Sequence, residues 1–391
     1  MKKIFIISII SAFVAVSCNK LDVGPTSPCT VDFPDSSLVH PKATAYQALL
    51  DEYVAKGLPG IVLLIKDKNG LFIGTAGKAD IEKDVDMMPC TVSKVASLTK
   101  LMISTLTLTL VEEGVLKLDT KIAEYLPERI ISNIENADQA TLRQLLNHTS
   151  GIFDVITDQG FYLQILNDPA KRWTGEELCE YIYGKKAYFP CGTDIKYSNS
   201  NYLLVSMIID QVTGKNHADL LKERIFDKVG MKHTNYYYHQ DVPDYTAQGY
   251  YDLYNNNSIL NLTNWNTGSG NGYGGVYSSV YDLMKFLQAL FVDKIILKQS
   301  TLDEMLVFGK EEPETHRLIG LGVYKDFIDR DSNEYGYGHR GRDLAYSADA
   351  DYFPELGTIM TMLVNYGTDG SSPLGDVFYE FRGKLADLIS Q

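Results

Sequence analysis

The chain has 391 residues, 45% of them hydrophobic and 22% charged, which excludes disorder and fibrous repeats and leaves ample material for a core. Its formal net charge is -14, and no dense Lys/Arg run occurs beyond the first residues. Nucleic acid is thereby excluded as a partner class, and the acidic surface speaks for solubility more than for substrate.

The leader comes first. Met1-Lys2-Lys3 runs into IFIISIISAFVAV, too short to span a bilayer but suited to the apolar part of a signal peptide over residues 1–17. It ends at Ala15-Val16-Ser17-Cys18, which resembles a bacterial lipobox with Cys18 as the lipidated mature N-terminus. Plain export, with Cys18 removed along with the leader, is the alternative. Residues 18–40 are polar and proline-rich and read as a tether. The remaining cysteines are Cys29, Cys90, Cys179 and Cys191. An even number in an exported chain permits two bridges, and Cys179–Cys191, closing the shortest loop, is the first expected pair. Four buried thiols are the other reading, and none of the spacings is that of a zinc site.

Residues 41–391 read as the folded domain. PKATAYQALLDEYVAKG has helical spacing and ends at Gly57, and GIVLLIKDKNGLFIGTAGKAD reads as a hairpin turning at Asn69-Gly70. Helical segments follow from Val95 onward, including TLRQLLNHTSG, TGEELCEYIYGK, SNYLLVSMIIDQVTG and HADLLKERIFDKVG. Strand patterns return in RLIGLGVYKDF, YGYGHRG, LAYSADADYF and LGTIMTMLVNYG, before a closing helix from Pro373. The fold class is therefore α+β. A mostly antiparallel sheet from both termini (about 41–90 and 315–391) is flanked by helices, and a mainly helical part (about 91–314) is inserted. A ligand would sit in the crevice between the parts.

Within the apolar run VASLTKLMISTLTLTLVEEG, Ser97 and Lys100 stand out, because a cation there is costly to bury unless it is needed. They lie one helical turn apart on one face. The helix N-terminus favours negative charge on Ser97, while apolar flanks lower the pKa of Lys100 so that it can take a proton. Ser-x-x-Lys is weak alone, since Ser17-Cys18-Asn19-Lys20 also fits, and Tyr254-Asn255-Asn256 matches Tyr-x-Asn as well as Tyr197-Ser198-Asn199 does. Order and context carry the weight: Tyr197-Ser198-Asn199 opens a helix, and His339-Arg340-Gly341 follows YGYG beside a strand.

In this order the three motifs resemble those of the serine β-lactamase and penicillin-binding-protein family, whose pattern is S-x-x-K, S-D-N and K-T-G. The Tyr form of the second motif is similar to class C β-lactamases, DD-peptidases and family esterases. LLNHTSGI, GGVYSSVYDLMKFLQAL and YFPELG also look like family segments, so the resemblance runs from about Thr44 to Gly367. It implies that Ser97 forms an acyl-enzyme, that Lys100 and Tyr197 share the general-base work, and that Asn199 bonds the substrate amide or Lys100. It also implies an oxyanion hole from the N–H groups of Ser97 and Arg342, past Gly341, each such donor being worth about 3 kcal/mol. His339 and Arg340 depart from the usual Lys and hydroxyl residue of the third motif, which argues against efficient β-lactam hydrolysis. Arg340 or Arg342 would either grip a substrate carboxylate or face solvent.

The function implied is an exported serine hydrolase, DD-peptidase or D-aminopeptidase-like or β-lactamase-related, acting on a small-molecule or peptide substrate, peptidoglycan fragments included. A carboxylesterase of the same fold and a binding or sensor protein that acylates without turnover are the alternatives. No metal, cofactor or nucleic acid is implied, and the membrane is met through the lipid anchor alone, at the periplasm or cell surface. His148 with Ser150 or Asp154 suggests a triad, but NHTSG reads as a helix-ending turn. Gly270–Gly275 satisfies G-x-G-x-x-G yet follows no strand and reads as a loop. The tyrosine-rich run from Tyr236 to Tyr254 either walls the cleft or packs on the helical part, and packing with one or two exposed rings is the preferred reading.

Overall fold

The computed structural model describes residues 22–33, 39–312, 316–368 and 372–391. The leader and Cys18 lie outside the described residues. Strands β1 (Gly60–Asp67) and β2 (Gly70–Asp80) form the hairpin, with Asp67 opposite Gly70 and the turn closed by Gly70 at φ +125°. Strand β3 (Val85–Asp86) follows. The C-terminal strands are β4 (Glu311–Glu312), β5 (Arg317–Ile319), β6 (Tyr324–Asp326), β7 (Gly336–Arg342), β8 (Ser347–Phe353) and β9 (Thr358–Val364). Among the described residues these make one nine-stranded sheet in the order β3-β2-β1-β9-β8-β7-β6-β5-β4. The two ends of the chain meet where β1 pairs antiparallel with β9, Ile61 opposite Val364.

Side chains alternate across this sheet, so each strand feeds two cores. Ile61, Leu63 and Ile65 join Met360, Met362 and Val364 against the two terminal helices, α1 (Ala43–Ala55) and α6 (Gly375–Ser390). Val62, Leu64 and Leu363 face the helical mass instead. There α2 (Thr99–Glu112) is the central helix, joined by α3 (Gln159–Asn167), α4 (Asn199–Thr213) and α5 (Val280–Leu287), the last lying on β9, β1 and β8. Leu101, Met102, Ile103, Leu106 and Leu108 are all fully buried, and Lys100, Ser104, Thr105 and Thr107 are buried beside them, so the helix is enclosed by the fold on nearly every side. No helix among the described residues is long and apolar enough to cross a membrane.

Two expectations from the sequence are corrected. Cys29 pairs with Cys90, across 61 residues, and not Cys179 with Cys191. The Cys179 thiol is buried against the Met207 sulfur, 3.7 Å away, whereas the Cys191 thiol faces the Ser150 carbonyl at 3.3 Å. Proximity in sequence gave way to the packing of residues 22–33 against the body of the fold. The bridge also means that residues 22–33 do not hang free as a tether. Val23 is buried with its N–H on the Asn264 side chain, and the Thr26 hydroxyl donates to the Thr246 carbonyl at 2.6 Å.

Between the sheet and α6 lies a buried belt of charge. Asp326 is held by Arg340 and Arg382, and Asp349 by Arg342 and Arg382. The third carboxyl, Asp351, is fully buried with neither oxygen bonded. Burial, reinforced by the negative Asp326, pushes its pKa well above the usual carboxylate range. A raised folded-state pKa gives stability present below the unfolded value, near 4, and lost as pH rises through the folded value. Asp351→Asn removes that loss. Thermal unfolding should show the variant melting above the parent at pH 8, with the gap closing toward pH 4; a gap that widens on acidification would contradict the assignment.

Candidate active site

Ser97 sits in the single 3₁₀ turn Ala96–Leu98 that leads into α2 at Thr99. Ala96 has φ +48°, a left-handed conformation that costs a non-glycine residue about 1–2 kcal/mol. The turn is pinned from both sides, because the Val95 N–H donates to the Val276 carbonyl and β7 presses on the Val95–Ala96 peptide. A β carbon on Gly341 would lie 2.0 Å from the Val95 carbonyl oxygen, so only glycine lets β7 approach this closely.

Lys100, one turn further, is fully buried. Its ammonium donates to Ser97 Oγ at 3.0 Å, to Asn199 Oδ1 at 2.7 Å and to the Tyr273 carbonyl at 2.7 Å. Burial drives its pKa well below that of a free lysine; Asp154 opposes the shift and Arg317 adds to it. The Tyr197 hydroxyl is hydrogen-bonded to Ser97, and its ring lies 4.9 Å from the Lys100 nitrogen. Burial raises the phenol pKa well above its ordinary value, so Tyr197 is a neutral phenol at rest. Three of the residues singled out in the sequence, Ser97, Lys100 and Tyr197, thus meet at one point, with Asn199 directly behind them.

Asn199 opens α4 and is itself oriented by Asp154. Its backbone N–H and Nδ2 donate to the two Asp154 oxygens at 3.0 and 3.1 Å, which turns Oδ1 toward Lys100. Asp154 is buried, and burial raises its pKa to about 6. Because the Asp154 carboxylate raises the Lys100 pKa, Asp154→Asn should lower it. The acid limb of a kcat/KM–pH profile should therefore move to lower pH in that variant; a limb moving upward would show that Asp154 does not act on Lys100.

The third motif is split by the pleat of β7. Strand β6 pairs only with Gly336–Gly338, so the edge from His339 onward is left to face the Ser97 turn. His339 and Gly341 point toward that turn's side of the sheet. His339 is buried and stacked on Tyr324 at 3.9 Å, and its Nδ1 faces the Arg340 carbonyl at 2.6 Å. That contact assigns the proton to Nδ1, and burial holds the imidazole neutral. Arg340 and Arg342 point the other way, into the belt above α6, where Arg342 meets Asp349 at 2.7 Å and lies over the Phe378 ring. Both guanidinium groups are paired in the belt rather than aimed into the cleft, and with side chains only 14% and 11% exposed they do not simply face solvent, which corrects both expectations made for them. Adjacent strand residues cannot all face one side.

Two further roles escape the sequence reading, which weighs Asp154 only as a triad member and Gly270–Gly275 only as a loop. Asp154 lies 45 positions from Asn199, and the Tyr273 carbonyl comes from the Gly270–Gly275 loop, whose glycines looked like a failed nucleotide motif. His148 is not a triad base. Its Nδ1 accepts from the Ser198 N–H and faces Asn201 Nδ2, and its ring stacks on Tyr197 at 4.4 Å, so it holds the phenol in place. Most of the tyrosine run packs, with Tyr236, Tyr237 and Tyr250 buried and Tyr254 exposed, but Tyr251 walls the cavity beside Ser97, so both readings of the run hold in part. Among the described residues no group of three or more His, Cys, Asp or Glu side chains could hold a metal ion.

Ser97 opens onto a cavity of about 460 Å³ that Arg342 also borders. An alcohol bonded to a desolvated amine and a neutral phenol, at the wall of such a cleft, can be deprotonated as it attacks a carbonyl. The family model for Beta-lactamase matches residues 46–379. The chain belongs to the Beta-lactamase family. A penicillin-binding protein of Bacillus subtilis is 29% identical over 62% of this chain, which covers 54% of that protein's length. The D-alanyl-D-alanine-carboxypeptidase/endopeptidase AmpH of Escherichia coli is 26% identical over 69% of this chain and 67% of its own. Among solved structures, the D-amino acid amidase of Ochrobactrum anthropi SV3 complexed with L-phenylalanine amide is 27% identical with a TM-score of 0.77, over 89% of this chain and 97% of that one. This Beta-lactamase family member therefore has a penicillin-binding protein, a carboxypeptidase/endopeptidase and an amidase among its relatives, and it spans about half the length of the first of them.

Proposed function

We propose that this protein is an exported, lipid-anchored serine hydrolase that cleaves amide bonds through an acyl-enzyme on Ser97. The observation that carries the reading is the buried Lys100 ammonium 3.0 Å from the Ser97 hydroxyl, with Tyr197 bonded to the same hydroxyl. Lys100, in the neutral form that burial favours, takes the Ser97 proton as Ser97 Oγ bonds the carbonyl carbon. The C–N bond then breaks as Tyr197 gives its proton to the departing amine and regains one from the Lys100 ammonium, and water later hydrolyses the ester. The N–H groups of Ser97 and Arg342, both at the cavity wall, would receive the oxyanion. Amide substrates of D-configured residues are favoured by the carboxypeptidase and amidase relatives. The leader and lipobox support export and anchoring at Cys18.

Ester hydrolysis is the second reading, favoured by the apolar cavity wall and by the missing Lys-Thr grip at His339-Arg340. Rates on a D-alanyl-D-alanine peptide, p-nitrophenyl butyrate and nitrocefin rank the readings. Turnover of the peptide above the other two, absent in Ser97→Ala, supports the amidase. A ranking led by the ester replaces it with an esterase, and one acylation without turnover replaces it with a sensor.

A further inference from the structure

The cavity beside Ser97 is walled on one side by Ile156, Phe161, Tyr162, Ile165, Tyr251 and Leu344. Tyr197 and Lys100 do not border it. A leaving group must reach their protons, so it lies outside, and the cavity is left to the acyl portion of the substrate. Two charged residues border the space, Arg342 and Asp343. The Arg342 guanidinium is turned into the belt on the far side of the sheet. Asp343 is neutralised where it stands: Lys94 forms an ion pair with Oδ2, while the Thr267 hydroxyl and the Leu344 N–H donate to Oδ1 at 2.9 and 2.8 Å. The Lys94 side chain is only 3% exposed, against 10% for Asp343, so the carboxylate stands between the cation and the cavity.

We propose that Asp343 is a specificity-determining residue that masks Lys94, so that the site selects a bulky, uncharged, apolar acyl group and rejects one carrying a carboxylate. The selection rests on the reading of Ser97 as nucleophile. A carboxylate entering this cavity would leave water for largely apolar walls, with the bordering Asp343 already holding the Lys94 cation and no other charge turned toward it. An aromatic or branched acyl chain gains by burial against the same walls. Removing the Asp343 carboxylate opens a path from the cavity to the Lys94 ammonium. It also deprives Lys100 of a charge that raises its pKa, but that change acts on all substrates alike, so the ratio between acyl groups is the informative quantity.

The test uses p-nitrophenyl 4-phenylbutyrate and p-nitrophenyl succinate, which share a leaving group and differ in acyl charge. The full-length protein should prefer the phenylbutyrate by on the order of 100-fold in kcat/KM. Asp343→Ser should shrink that preference about tenfold or more by accepting the succinate. The double variant Lys94→Met/Asp343→Leu, which keeps the space filled and leaves no buried cation, should retain the parental preference even if the single variant folds poorly. Succinate turned over as fast as phenylbutyrate by the parent, or an unchanged ratio in folded Asp343→Ser, overturns the proposal. Ser97→Ala separates the two levels: parental rates in that variant would sink the nucleophile assignment, whereas a lost acyl preference with Ser97 still required sinks this inference alone.

Discussion

Lys100→Met is expected to cut kcat/KM by about 10³–10⁴-fold on any acyl substrate while leaving the protein folded. The two effects separate because the ammonium is a catalytic group in a place where a charge is expensive. Lys100 is fully buried, with its nitrogen over the Tyr197, Tyr202 and Tyr273 rings. Methionine keeps the length and apolar stem of the side chain, and it removes a cation whose burial opposes folding. Against this, Asn199 Oδ1 and the Tyr273 carbonyl lose their donor. The net change in melting temperature should be small or upward, read by calorimetry beside the rate. A folded variant retaining more than a tenth of the parental rate would mean that Lys100 serves structure and that Tyr197 alone deprotonates Ser97.

Gly341→Ala should lower kcat by about 100-fold, with a smaller change in KM, although position 341 touches no substrate. The added methyl would stand 2.0 Å from the Val95 carbonyl oxygen and 3.4 Å from the Ala96 β carbon. Strand β7 must therefore retreat from the turn that holds Ser97, taking with it the Arg342 N–H proposed for the oxyanion. A donor shifted by an ångström no longer matches the developing charge, so the loss falls on the transition state more than on binding. Gly383→Ala is the control: on α6 a β carbon there meets nothing within 4 Å, and alanine suits a helix interior. Equal rates in the two alanine variants would remove β7 from the catalytic geometry.

What the sequence made legible is what local physics determines. The apolar run of β1, the Asn69-Gly70 turn and the leucine-rich α2 each follow from a few neighbouring residues, and each forms the element its pattern called for. The pairing of Ser97 with Lys100 was legible because one helical turn fixes their distance. Other features depend on which distant segments meet. Asp154 reaches Asn199 across 45 residues, and Cys29 finds Cys90 across 61, with no local signal for either. Lys94 and Asp343 are a further pair of this kind, joined only because β7 runs beside the Ser97 turn. The arginines of the third motif are a different case. Alternation along a strand places His339 and Gly341 on one face and Arg340 and Arg342 on the other, and that rule was available from the sequence.

The most direct test is the intact mass of the protein after treatment with a fluorophosphonate, followed by peptide mapping. An amine that makes one alcohol nucleophilic predicts a single adduct, on Ser97, that fails to form in Ser97→Ala and slows sharply in Lys100→Met. An adduct on any other residue, or labelling that persists undiminished in Ser97→Ala, would contradict it.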